Sequence, residues 1–143
     1  MSAKFIIRPF RAADREAVIA LWSRVFAGDP PWNAPEAMID RKLAVQPELS
    51  VHTVVAETQG QVVGTVLAGF DGVRGWLHHL VVAPEQRRHG LGTRLVRAAE
   101  EGLRGLGCPK VNLQVRAGND EAVAFYRSLD YGIEDRVSLG RRL

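Results

Sequence analysis

Six consecutive residues, Arg87-Arg88-His89-Gly90-Leu91-Gly92, carry the strongest chemical signal in this 143-residue chain. They follow an apolar run, Trp76 to Val82, through Ala83-Pro84-Glu85, and they open a long stretch with helical spacing. A strand, a glycine loop and a helix start in that order make an anion site. The first backbone N–H groups of a helix have no partner within it. They point outward at the positive end of the helix dipole. Glycine at 90 and 92 lets a phosphate approach the backbone with no Cβ in the way. Taken alone, the two glycines fit equally well a loop that needs two flexible residues. The run is not a Walker A loop, because no Gly-Lys-Ser/Thr follows. It is not a dinucleotide fingerprint either, because the three-glycine spacing is missing.

A second stretch, Asn119 to Tyr126, follows the next strand-like run. Tyr126 offers a phenolic hydroxyl. On spacing alone it is an aromatic on an amphipathic helix that packs its ring and exposes its oxygen. His78 and His79 interrupt the apolar run before the glycine loop, and an imidazole with an intrinsic pKa of about 6.5 suits proton transfer near neutrality. Strand alternation puts Trp76, His78 and Leu80 on one face and His79 on the other, unless a bulge intervenes. Either histidine fits equally well as a core group satisfied by its neighbours. His52, His78, His79 and His89 have no metal-ligand spacing, and no cysteine pair supports one. Cys108, the only cysteine, stands between Gly107 and Pro109 and reads as an inert thiol. Of the three tryptophans, Trp22 and Trp76 read as core. Trp32, in a Pro-Pro-Trp-Asn loop, is the one to watch.

These residues must be held by elements that the same pattern predicts. Lys4 to Arg8 reads as a strand. Asp14 reads as the cap of a helix with Ala17, Val18, Leu21, Trp22 and Val25 at helical spacing. Pro35 opens a second helix with Met38, Ile39 and Leu43 apolar, and Pro47 ends it. His52–Thr58 and Val62–Phe70 read as strands joined at Gln59-Gly60, and Asp71-Gly72 makes the next turn. Trp76–Val82 reads as a strand covered on both faces. Gly90–Leu106 reads as a long helix ended by Gly107. Lys110–Arg116 reads as a strand, Asp120–Leu129 as a short helix, and Tyr131–Leu139 as one or two closing strands. Hairpins first and a strand–helix–strand crossover later imply an α/β fold, a mixed sheet with helices on its faces.

Composition bounds the rest. The length fits one domain, 1–143. A hydrophobic content of 46% and a charged content of 24% are ordinary for a globular chain. The net charge of +3 suits an anionic ligand. It is too small, with no basic patch interleaved with aromatics, to point to nucleic acid. No run approaches the ~18 apolar residues of a membrane span, and Met1–Arg11 does not read as a signal peptide. A lone cysteine suits a reducing compartment, so a cytoplasmic location is expected. The sequence leaves the oligomeric state open, a homodimer included.

Together, Arg87-x-x-Gly90-x-Gly92 after a strand, with Asn119 and Tyr126 on the following strand–helix unit, resemble the GCN5-related N-acetyltransferase (GNAT) superfamily over essentially the whole chain. Pro31-Trp32-Asn33, Phe70-Asp71-Gly72, Gly107-Cys108-Pro109-Lys110 and Ser138-Leu139-Gly140-Arg141-Arg142 also look like its bacterial YpeA-type branch. The resemblance implies a mostly antiparallel sheet splayed at a cofactor cleft. It implies acetyl-coenzyme A as cosubstrate and an amine, small or on a peptide or protein, as acceptor by direct attack. Backbone groups of Leu80, Val81 and Val82 would bind the pantetheine arm like an added strand. Arg87, Arg88, His89, Gly90, Leu91 and Gly92 would cradle the pyrophosphate. Asn119 would hold the arm by its side chain, and Tyr126 would donate a proton or hydrogen bond to the departing thiolate. The Trp32 loop would frame the acceptor. The chain departs from the pattern at Asp130, where glycine is common. It departs again at Trp76 and Gln114, which stand where several relatives carry a glutamate base. Some relatives carry a histidine in this part of the strand and use it to deprotonate the amine, so the resemblance implies His78 as candidate base, with His79 behind it. The rival reading is a non-catalytic module that senses acyl-coenzyme A or binds a protein partner.

Overall fold

The computed structural model describes residues 4–45 and 53–143. Two compact units divide the chain, Met1–Leu113 and Gln114–Leu143. Pro47 and His52 lie outside the described residues.

In the first unit, β1 (Ile6–Pro9), β2 (Thr53–Thr58), β3 (Gln61–Phe70), β4 (Gly75–Val82) and β5 (Val111–Leu113) lie side by side in chain order. The first four are antiparallel neighbours, and β5 runs parallel to β4. The β2–β3 hairpin closes at Gln59-Gly60, both with positive φ, 50° and 76°. Two left-handed residues are what a two-residue hairpin matched to strand twist requires. Asp71 closes the next turn, its Oδ1 accepting the N–H groups of Val73 and Arg74 at 2.8 Å each.

Helices cover both faces of this sheet. Trp22 of α1 (Arg15–Val25) meets the side chain of Thr65, and Lys42 of α2 (Pro35–Val45) lies over Gly69. Thr65 and Gly69 share one face of β3 by strand alternation. A Cβ at Gly64, on the other face, would meet Leu95 of α3 (Leu91–Gly105) at 3.0 Å, and one at Gly75 would meet Leu103 at 2.8 Å. Those glycines let α3 lie close on the sheet. Leu91, Leu95, Val96, Ala99 and Leu103 form its buried stripe, and Trp22, Val18 and Ile39 fill the opposite layer. Gly107 ends α3 at φ 81°, with Cys108 N–H donating to Leu103 and Gly107 N–H to Arg104. Those two bonds make a Schellman motif.

Three expectations are corrected. Asp14 stands at the start of α1, yet its side chain makes no cap bond there. It is buried and turned back to accept two bonds from the Arg8 guanidinium, at 2.7 and 2.9 Å, and one from Arg11 N–H at 2.8 Å. The two charge-assisted bonds from Arg8 hold the carboxylate away from the first amides of α1. Second, β4 alternates buried and open residues rather than being covered along both faces. Third, the strand expected over Lys110–Arg116 is three residues long, because β5 has a partner along one edge only.

The second unit holds α4 (Asp120–Ser128). Asn119 caps it, Oδ1 accepting Ala122 N–H at 3.2 Å. Asp130 ends it at φ 73°, so the turn survives without glycine. Tyr131 N–H donates to Tyr126 and Asp130 N–H to Arg127, a second Schellman motif. The expected closing strands do not form, and residues 131–143 carry no helix or strand. Ile133, Val137 and Leu139 are 72%, 85% and 92% exposed. With no apolar face buried, nothing offsets the entropy of ordering a strand.

Candidate active site

The geometry of β4 sets the site. Its pairing with β5 runs from Gly75 opposite Val111 to Leu77 opposite Leu113 and stops there. Among the described residues no strand pairs with that edge of β4 from His78 to Val82. Ala83 N–H donates to Val63 at 2.8 Å on the β3 side. Antiparallel alternation therefore turns the N–H and C=O of Val82, and of Leu80 before it, toward the open edge. Val81 turns its backbone to β3, opposite Thr65.

A bulge sits in this segment. Leu67 pairs with His78, but Thr65 pairs with Val81, so β4 carries one extra residue opposite β3. His79 takes up the irregularity with φ 52°. The expectation that His79 faces away from His78 fails here. The His79 ring packs on Trp22 of α1 at 4.8 Å and on Phe26, the residue that ends α1, at 5.1 Å between centroids. His78 opens into a cleft with Lys42 of α2. Both imidazoles therefore lie on the α1/α2 face. Thr65, fully buried, accepts from Trp22 Nε1 at 2.9 Å and donates to the His79 carbonyl at 3.0 Å. That relay satisfies the carbonyl which the bulge leaves out of the ladder.

Electrostatics separates the two histidines. Burial, and then the neighbouring His78, push the His79 pKa down to about 4. His79 is neutral at physiological pH and is packed as a core aromatic. His78 is more exposed. Partial burial and then the charge of Lys42 hold its pKa below the ordinary histidine value. An imidazole of this kind is neutral at pH 7 and able to accept a proton.

Past Val82 the chain makes a tight turn at Pro84–Gln86 and enters α3. Arg24 of α1 grips this turn through Glu85, with bonds of 3.0 and 2.6 Å. Arg88 and Gly90 both have positive φ, 70° and 73°. Gly90 is the residue before α3, and the first helical bond runs from Arg94 N–H to the Gly90 carbonyl. The N–H groups of Leu91, Gly92 and Thr93 thus lack partners within the helix. A Cβ at Gly90 would meet nothing within 4 Å, so the space over the loop is open. Arg87, Arg88 and His89 are exposed, whereas Leu91 is buried and anchors the loop. The His89 ring lies 5.5 Å from that of Phe5. An extended edge running into an open, amide-lined and cationic helix start fits a ligand with an amide-bearing arm and a phosphate end.

A match to the acetyltransferase (GNAT) family model covers residues 16–131. The chain belongs to that family. This GNAT chain is 44% identical over 137 residues to an acetyltransferase of Pectobacterium atrosepticum, covering 96% of this chain and 94% of the relative. It is also 44% identical over 138 residues to one of Sodalis glossinidius, with the same coverage. Among solved structures, Ard1 from Thermoplasma volcanium superposes with a TM-score of 0.77 at 24% identity, covering 91% of this chain and 84% of that one. The aminoglycoside N-acetyltransferase AAC(6')-Iy in complex with CoA gives a TM-score of 0.77 at 19% identity, covering 99% and 97%. Both likenesses concern the fold.

Two further candidates of the GNAT chain, Asn119 and Tyr126, lie in the second unit. Tyr126 is half-buried on α4, and burial pushes its pKa up to about 12. Its ring meets Phe125 at 5.0 Å and Tyr131 at 5.6 Å. The Tyr131 contact is the apolar clasp that accompanies a Schellman end. Asn119 uses Oδ1 as the helix cap, which leaves its NH₂ group to donate. Gln114 donates to Ser138 at 2.8 Å. In the first unit Cys108 donates its thiol to the Lys110 carbonyl, and Trp32 is 48% exposed. Among the described residues no three His, Cys, Asp or Glu side chains gather for a metal ion. No described helix is long and apolar enough to cross a membrane.

Sequence reasoning missed Thr65 and Lys42. A threonine within an apolar strand and a lysine on an amphipathic helix carry no local signal. Only the register of β3 against β4 and the seating of α2 reveal them.

Proposed function

We propose that this chain is an acetyl-coenzyme A-dependent N-acetyltransferase that works by direct transfer. The observation that carries the reading is one continuous run, the open edge of β4 leading into the amide-lined start of α3. The backbone of Leu80 and Val82, with Val81 between them, receives the pantetheine arm by strand-like pairing. Leu91, Gly92 and Thr93 N–H groups, framed by Arg87, Arg88, His89 and Gly90, take the pyrophosphate. Asn119 donates its NH₂ to the arm.

Acetyl-coenzyme A supplies an activated acyl group as a thioester. The chain's own groups do the rest. His78, neutral at pH 7, takes the proton from the acceptor ammonium so that the amine lone pair attacks. The Leu80 N–H, held outward by the bulge that Thr65 pins, donates to the thioester oxygen as negative charge develops on it. Tyr126, protonated well past neutrality, donates to the sulfur as it leaves. We also place the chain in the YpeA-type branch, on Pro31-Trp32-Asn33 and the other segments quoted for it, and read its setting as the cytoplasm.

Thiol release from acetyl-coenzyme A, with and without a panel of primary amines, tests the reading. Amine-dependent release with matching N-acetyl product is expected. Tight binding of acetyl-coenzyme A with no release for any amine would favour the sensor instead.

A further inference from the structure

On the α1/α2 face, beside His78, a cleft of about 250 Å³ is lined by Lys42, Leu67, Gly69, Asp71, Trp76 and His78, among others. Its volume falls just under the ~300–1,000 Å³ of drug-sized ligand sites, which suits a small molecule. Lys42 reaches it from α2 half-buried, its Nζ donating to the Ala68 carbonyl at 2.7 Å. An ammonium has three donors, so two remain. Among the described residues no carboxylate pairs with it. Among the described residues the one carboxylate lining the cleft, Asp71, already accepts from Val73 and Arg74 N–H. Burial takes the Lys42 ammonium partly out of water with no counter-ion among the described residues, which holds its pKa down and leaves a site that an incoming anion would relieve. The His78 imidazole lines the same cleft.

We propose that this cleft is the acceptor subsite and that Lys42 binds a carboxylate on the acceptor, making the substrate a small amine that also carries a carboxylate. The proposal rests on the transferase reading. The carboxylate anchors on Lys42, and the amine is thereby presented to His78 on the neighbouring strand. The reaction itself is unchanged: the amine nitrogen forms the new bond to the acetyl carbon, the C–S bond breaks, and the ammonium proton leaves through His78.

The experiment compares small amino acids with their own amides as acceptors, at saturating acetyl-coenzyme A, in the parent and in Lys42→Met and Lys42→Arg. The parent should prefer each acid over its amide by at least tenfold in kcat/KM, about 1.4 kcal/mol. Lys42→Met should bring that ratio to about one, through KM rather than kcat. Lys42→Arg should keep part of the preference. The affinity for acetyl-coenzyme A, measured by calorimetry, should match the parent in both variants and so certify their folding. Amides used as well as acids, or a preference that survives Lys42→Met, would overturn the carboxylate assignment and leave the transferase reading intact. Acetylation of other amines but none of the acids would do the same. No acetylation of any amine by a chain that binds acetyl-coenzyme A would overturn both.

Discussion

Thr65, Tyr126, His78 and His79 show how a few side chains set the chemistry. Thr65→Val is nearly isosteric but strands the Trp22 N–H and the His79 carbonyl in the core. Unsatisfied buried groups of this kind cost about 1–3 kcal/mol, readable as a lower midpoint in urea. The same variant should lower kcat more than the KM for acetyl-coenzyme A, because the bulge aims an amide that matters in the transition state. Thr65→Ser should restore both; a loss in Ser with none in Val would mean that the methyl, not the hydroxyl, is the support. Tyr126→Phe should lower kcat by about 10²–10⁴-fold if proton transfer is complete, with chemistry limiting. An unchanged rate would return Tyr126 to its role in the α4 clasp. A His78 pKa below 6.5 moves the ascending limb of the pH–rate profile below that value. His78→Gln should abolish this limb, and a retained limb would assign the base elsewhere. His79 acts on stability. Its folded pKa, about 4, lies below the unfolded value of 6.5, so the unfolded chain binds the proton first. The contribution is whole above pH 6.5 and is lost as pH falls toward 4, on the order of 2 kcal/mol after discounting for partial exposure. His79→Asn, which tolerates positive φ, should flatten stability across that window in acid denaturation curves.

At the scale of elements, the helix ends decide where the site residues stand. Asp130→Gly should stabilise the end of α4 by up to about 1 kcal/mol, since φ 73° strains any residue with a Cβ. A drop in thermal midpoint would show that the Asp130 side chain does something the turn does not reveal. Gly90 has the same need for a left-handed backbone at the start of α3. Gly90→Ala should weaken coenzyme A binding by about tenfold through strain rather than collision, because the space above it is open. Most of these elements were legible in the sequence. The Gln59-Gly60 hairpin, the α3 stripe and its Gly107 end, and the glycine loop that opens α3 all follow from local period and glycine placement. The bulge at His79 was not legible, because an extra residue in β4 is visible only against its pairing with β3. Nor was the buried turn of Asp14 toward Arg8, since a cap and an ion pair ask for the same residue at the same place.

For the whole molecule, the sheet covered by α1 and α2 on one face and α3 on the other was read from the order of strands and helices. The closing strands expected over Tyr131–Leu139 do not form, and Ile133, Val137 and Leu139 there are exposed. Alternation proposes a strand, but a partner edge and a buried face are what make one. The central claim is that the open edge of β4 and the start of α3 together hold the cosubstrate. Amide hydrogen exchange, residue by residue, with and without coenzyme A, tests it most directly. Coenzyme A should slow exchange at Leu80 and Val82 and at Leu91, Gly92 and Thr93, while β1 and β2 exchange as before. Binding with no protection at either stretch, or protection confined to other elements, would contradict the assignment.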